Sequence, residues 1–196
     1  FRAPSFDELF YPYYGNPELD AERSFNWDVS VEQSFDTVQL TATWFENDIE
    51  NLIGFHPVTY INEQQSGKTK ANGLEFSAEV NIDSLNADVI GTYTYYQNTP
   101  VSLVPQQTAT ISVDSSLSNA CNVGLVATWV DKREAGADLE DYLLVRLYGN
   151  YQINESVKLH ARVENLLDDD FRQYEGFGQS IKGRGRGFYG GVTVSF

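Results

Sequence analysis

Apolar and polar residues alternate along most of this chain. Between 24 and 33, Phe25, Trp27, Val29 and Val31 are interleaved with Asn26, Asp28, Ser30 and Glu32, a period of two that predicts a strand with one apolar face. The segment 37–48 repeats the pattern with Val38, Leu40, Ala42 and Trp44 against Gln39, Thr41 and Thr43, and 73–83 sets Leu74, Phe76, Ala78, Val80 and Ile82 against Glu75, Ser77, Glu79 and Asn81. Segments 85–97, 107–117, 120–130, 141–153, 156–167 and 186–196 read the same way. The pattern predicts nine strands and an all-β fold. A single helical turn is expected only at PSFDELF (4–10), where Ser5 and Glu8 stand in capping-box spacing.

The joins between strands alternate in length. Short turns fall near Ser34–Asp36, Asp83–Ser84, Ser118–Asn119 and Asn154–Glu155, whereas the joins at 48–67, 98–106, 131–140 and 168–185 are long. Short and long joins therefore lie at opposite ends, as in outer-membrane barrels. The strands approach the ~9–11 residues that a tilted strand needs to cross a bilayer. Trp44, Tyr93, Tyr95, Trp129 and Tyr142 fall toward the long joins, where an interfacial girdle is expected. In the last strand Phe188, Gly190, Val192, Val194 and Phe196 share a face. Barrels of single bacterial chains close with an even number of strands, so nine strands preceded by a loop at 1–23 predict the C-terminal part of a larger antiparallel transmembrane β-barrel.

Composition narrows the chemistry. Twenty-eight acidic residues against 13 basic ones leave a formal charge of −15, which argues against a nucleic-acid partner held through its phosphates. Cys121 is the only cysteine and the two histidines are far apart, so neither a disulfide nor a zinc site is expected. The start FRAPSF carries neither an initiating Met nor a signal segment, as expected of a piece of a longer chain or of a processed protein. No run reaches the roughly 18 apolar residues of a membrane helix.

No catalytic constellation is visible. His56 sits in an aromatic loop, and His160 alternates with Lys158, Arg162 and Glu164 on a polar strand face, which reads as a wet lumen wall; no enzyme activity and no cofactor are expected. The run Asp168–Asp170 lacks the spacing of a calcium loop and reads as a solvated turn. The GRGRG run at 183–187 reads as glycines permitting a tight approach to the last strand. Large amphipathic side chains in the loops, namely Tyr11, Tyr13, Tyr14, Phe55, His56, Tyr60, Tyr174 and Phe177, are the candidate ligand contacts.

Three stretches carry a family resemblance: FRAPSFDELFYPYYGNPELDAERSFNWDVSVEQ, WFENDIENLIGF followed by YINEQQSGKTKANGLEFSAEV, and RVENLLDDDFRQYEGFGQSIKGRGRGFYGGVTVSF. In this order they resemble the barrel of TonB-dependent outer-membrane transporters, most nearly the cobalamin receptor, then siderophore receptors. The resemblance implies a bacterial outer-membrane location and a barrel of roughly 22 strands, of which this chain supplies the C-terminal nine. It also implies active import of a bulky, scarce nutrient, a corrinoid or a ferric siderophore. Partners implied are outer-membrane lipid, the N-terminal strands and a plug domain of the full-length protein, and the TonB energy-transducing complex acting through that plug. The barrel assembly machinery would read Phe188, Val192, Val194 and Phe196 as a terminal signal. The plug itself has no counterpart in these residues. A passive porin-like channel, a secreted glycan-binding β-sandwich and an outer-membrane enzyme are the competing readings; the sandwich would require Trp27, Leu74, Val123 and Val192 to meet across a dry interior.

Overall fold

The computed structural model describes residues 1–56, 58–99, 103–134, 138–176 and 179–196. A short helix, α1 (Phe6–Phe10), precedes strands β1 (Arg23–Ser34), β2 (Val38–Glu50), β3 (Ile53–Phe55), β4 (Asn62–Gln64) and β5 (Lys68–Ile82). There follow β6 (Ala87–Asn98), β7 (Gln107–Ser118), β8 (Cys121–Val130), β9 (Arg133–Glu134) and β10 (Asp138–Leu139). The chain finishes with β11 (Tyr142–Asn154), β12 (Val157–Glu164), β13 (Arg172–Gly176), β14 (Gln179–Lys182) and β15 (Gly187–Val194). Nine of these strands form one antiparallel sheet in the order β1-β2-β5-β6-β7-β8-β11-β12-β15, so each pairs with its neighbour in the sheet as an up-and-down meander. The pairs β3–β4, β9–β10 and β13–β14 are separate two-stranded hairpins within the long joins, which alternation did not reveal because each strand has only two to five residues.

Register turns nine separate alternations into two continuous surfaces. One row across the sheet reads Val31, Ala42, Phe76, Tyr93, Ala109, Trp129 and Leu143. Another reads Val38, Val80, Val89, Val113, Leu125, Leu147, Val163 and Phe188. Successive side chains point to opposite faces, so the rows between are polar: Glu32, Thr41, Ser77, Thr92, Thr110 and Thr128, or Asn81, Asp88, Asp114, Gly124, Tyr148 and Arg162. A slip of one residue in any pair would put charge among the valines, which is why the pattern dictates the register.

Among the described residues no second layer covers the apolar face. Phe76, Ile111 and Val192 remain 44%, 47% and 59% exposed, and Trp27, Leu74, Val123 and Val192 all lie on the same side of the one sheet. A sandwich interior is therefore ruled out, and the face has the continuous apolar area that hydrocarbon covers in a membrane barrel. The polar face is the interior wall.

The four short connections, at 35–37, 83–86, 119–120 and 155–156, lie at one end, and the long ones lie at the other. Trp27, Trp44, Tyr93, Tyr95 and Trp129 occupy the outer face toward the long connections; Trp129 Nε1 donates to Asp141 Oδ2 at 3.2 Å, directing its polar edge away from the apolar band. Tyr142 corrects the expected girdle. Its register with Val130 places it on the inner face, where it stacks on Phe171 with ring centroids 4.3 Å apart.

The ends of two strands and the role of one glycine also differ from the sequence reading. Strand β12 stops at Glu164 because Asn165 takes a left-handed conformation at φ 48°. The side chain of Asn165 then closes the turn, donating to the carbonyls of Asp169 and Arg184 and accepting from the Asp169 N–H. Strand β15 stops at Val194, which leaves Phe196 beyond it. Within GRGRG, the need for Gly183 is a ring: a Cβ there would fall 2.0 Å from the Phe171 side chain.

A candidate ligand platform at the long-connection end

The segment before β1 is fastened rather than loose. Ser5 caps α1 by accepting the Glu8 N–H, while its own N–H donates to Glu8 Oε2 at 2.7 Å, completing the capping box. The guanidinium of Arg2 then grips two carboxylates: Nε and Nη2 donate to Glu22 at 2.6 and 2.8 Å, and Nη1 and Nη2 donate to Glu8 at 3.0 to 3.1 Å. Glu22 is buried and also accepts the Ile53 N–H at 2.9 Å, so the clasp reaches β3.

Hydrogen bonding to Arg2 pulls Glu8 from 4.5 down to about 2, against the cost of burial and with help from Ser5. Glu22 is lowered for the same first reason, with the Ile53 N–H adding to it. Arg2 is raised in turn, chiefly by Glu22. Buried Asn62 makes a second fastening: its N–H donates to the Tyr14 carbonyl, its Nδ2 to the Glu8 carbonyl, and its carbonyl accepts Asn16 Nδ2 at 3.0 Å.

On this base Tyr11 and Tyr14 stack at 4.3 Å, and Phe55 meets Tyr14 edge-on at 5.6 Å. Three of the eight candidate contacts are thus brought together. Tyr13 is 95% exposed and held at φ 88°, while Tyr60 takes φ 57°; left-handed aromatic residues are uncommon and strained, and such strain concentrates at binding sites. His56 is committed to its loop, for Nδ1 accepts the N–H groups of Val58 and Thr59 at 3.2 Å.

Tyr174 lies elsewhere, on β13, which joins strands at the other edge of the sheet. Phe177 lies outside the described residues. The hairpin around Tyr174 belongs to a second fastened unit: Arg133 sits 5.0 Å over the Tyr142 ring and donates to the Arg172 carbonyl, and Lys182 pairs with Asp170 at 3.1 Å. The three consecutive aspartates diverge to different partners, with Asp168 accepting the Arg186 N–H and Asp169 the Leu143 N–H.

A polar cavity of about 750 Å3 is lined by Gln97, Gln106, Lys132, Arg133 and Glu140, among others. These residues carry no signal in the sequence, because isolated charges and amides in a loop have no periodicity. At the last strand, Phe188, Val192 and Val194 point outward and are 74%, 59% and 49% exposed, and Phe196 follows them beyond the strand.

A family model described as TonB dependent receptor-like, beta-barrel matches residues 1–166. The vitamin B12 transporter BtuB of Vibrio vulnificus is 25% identical over 205 residues, spanning 100% of this chain and 33% of that protein. Among solved structures, the siderophore receptor PirA from Acinetobacter baumannii superposes with TM-score 0.76 at 20% identity, over 93% of this chain and 33% of the other. The ferripyoverdine receptor of Pseudomonas aeruginosa gives TM-score 0.74 at 20% identity, over 92% and 28%. The chain spans about a third of the length of the curated relatives it matches. With its lipid-ready outer face, sorted connections and family match in agreement, the chain belongs to the TonB-dependent receptor family and forms part of its β-barrel in the bacterial outer membrane.

Proposed function

We propose that this chain is part of the wall and long-loop rim of an active importer of a corrinoid. In this reading, residues 1–23 and the long connections face the outside of the cell, and the short turns face the periplasm. A plug domain and the N-terminal strands come from the rest of the full-length protein, energy comes from the TonB complex through that plug, and the barrel assembly machinery docks the outward Phe188, Val192, Val194 and Phe196. The chain carries no enzymatic step.

The observation that carries the proposal is the fastened aromatic platform of Tyr11, Tyr14 and Phe55. Flat rings with few rotatable bonds, fixed on a hydrogen-bonded base, lose little entropy when a large planar ligand settles on them. Tyr13 and Tyr60 extend this rim, His56 shapes the loop that presents it, and Tyr174 stands apart on the hairpin at the other edge of the sheet. The B12 transporters that align along the full chain favour a corrinoid over a ferric siderophore.

Equilibrium binding of cyanocobalamin and of a ferric catecholate to the purified full-length protein tests this. Cyanocobalamin is expected to bind, and the double variant Tyr11→Ala, Tyr14→Ala to bind at least tenfold more weakly, the loss of about one good aromatic anchor. Preference for the ferric catecholate would reassign the ligand, and uptake that persists after the proton gradient is collapsed would make the protein a passive channel.

A further inference from the structure

The charges on the interior wall are sorted by side. Inward positions of β1, β5, β6 and β7 carry Asp28, Glu32, Glu75, Glu79, Asp88 and Asp114, and no inward position from β1 to β7 carries a cation. Inward positions of β11 and β12 carry Arg146, Lys158, His160 and Arg162, with Glu164 as their one carboxylate. The two halves also differ in how far they are satisfied. Asp88 accepts from Asn81 and Asp114 from the Tyr148 hydroxyl, but Asp28, Glu32, Glu75 and Glu79 have no hydrogen-bonding or ionic partner among the described residues. Opposite them, Arg146 and Arg162 share Glu164 at 2.8 and 3.1 Å, and Arg162 lies 4.6 Å over the Tyr189 ring, leaving an excess of positive charge.

From this polarity we infer that the polypeptide filling the lumen presents lysines and arginines toward β1–β7 and aspartates or glutamates toward β11–β12. The inference rests on the reading that the remainder of the protein occupies the barrel, and it adds the occupant's chemistry and orientation. Carboxylates facing water are screened within about 8 Å at physiological salt. A packed domain that displaces that water must supply cations in its place, because an unpaired charge removed from solvent is strongly disfavoured. Like-charge contact would be repelled, so the sorted wall admits one rotational setting of its occupant and opposes the reverse. The length of the relatives, of which this chain covers 33%, leaves ample polypeptide to fill the space.

Two measurements on the purified full-length protein test this. In carboxyl labelling with a carbodiimide and glycine ethyl ester, Asp28, Glu32, Glu75 and Glu79 are expected to react at least fivefold more slowly than the exposed loop residues Glu18 and Asp20. Equal rates would mean a wall open to water and would overturn the inference. In the second, the paired variant Glu75→Lys, Glu79→Lys is compared with Glu75→Gln, Glu79→Gln, with barrel folding confirmed for both by heat-modifiable gel mobility. The lysine pair is expected to make the lumenal domain at least threefold more susceptible to protease than the glutamine pair, with the difference collapsing in 1 M salt. Equal susceptibility, or a difference indifferent to salt, would overturn the charge pairing. Cyanocobalamin binding, measured alongside, separates the two ideas, since protected carboxylates in a protein that binds no corrinoid would sink only the ligand assignment.

Discussion

At the scale of single residues, two close approaches hold pieces of this molecule that no periodicity links. A Cβ on Gly124 would sit 2.3 Å from the Tyr148 ring and 2.7 Å from Asp114 Oδ1, so only glycine lets the tyrosine cross β8 to reach the aspartate on β7. Gly124→Ala should displace Tyr148 and lower barrel stability by about 1–3 kcal/mol, measured as a lowered urea midpoint in vesicles; an unchanged midpoint would show that the contact contributes nothing. The clasp of Arg2 is governed by charge instead. Glu8 and Glu22 both ionise more readily in the folded loop than when free, so their contribution is complete above 4.5 and declines as pH falls toward about 2. Exchange of the Ile53 amide, corrected for intrinsic pH dependence, should stay slow from neutrality to pH 4.5 and accelerate below it. Arg2→Ala should make exchange fast throughout, even though a half-exposed guanidinium makes each ion pair individually weak.

For the strands, the alternation has opposite consequences one residue apart. Ile111 lies on the outer face of β7 and Ser112 on the inner. Ile111→Arg, which forces a guanidinium into hydrocarbon, should cost about 2–4 kcal/mol, whereas Ser112→Glu, on the acidic half of the inner wall, should cost less than about 1 kcal/mol. Urea titration of both variants in bilayers distinguishes the faces directly, and equal penalties would contradict the assignment of lipid and lumen. The short hairpins β3–β4 and β13–β14 behave differently, because they are held by side-chain clasps and ring contacts and not by membrane burial. Loosening them should leave the urea midpoint of the nine-stranded sheet unchanged.

Across the whole molecule, the sorting of connections sets a direction through the membrane. In a Cys121→Ala background, Tyr13→Cys in intact cells should react with a membrane-impermeant maleimide, while Ser118→Cys on a short turn should react only after the outer membrane is opened. The reverse result would invert the proposed orientation and remove the aromatic platform from the cell's outer side.

Sequence alone determined the nine strands, their outer and inner faces and the sorting of their connections, because hydrocarbon and water impose a two-residue period that each strand must carry locally. The capping box at Ser5 and Glu8 was legible for the same reason, its partners being three residues apart. Tertiary structure decided what depends on distant partners. It moved Tyr142 from the girdle to a stack on Phe171, tied Arg2 to Glu22 and so fixed the platform, joined Tyr11, Tyr14 and Phe55 while leaving Tyr174 on another unit, and gathered scattered carboxylates onto one half of the wall. None of these pairings leaves a periodic trace, since the residues meet only when register and loop closure bring their strands together.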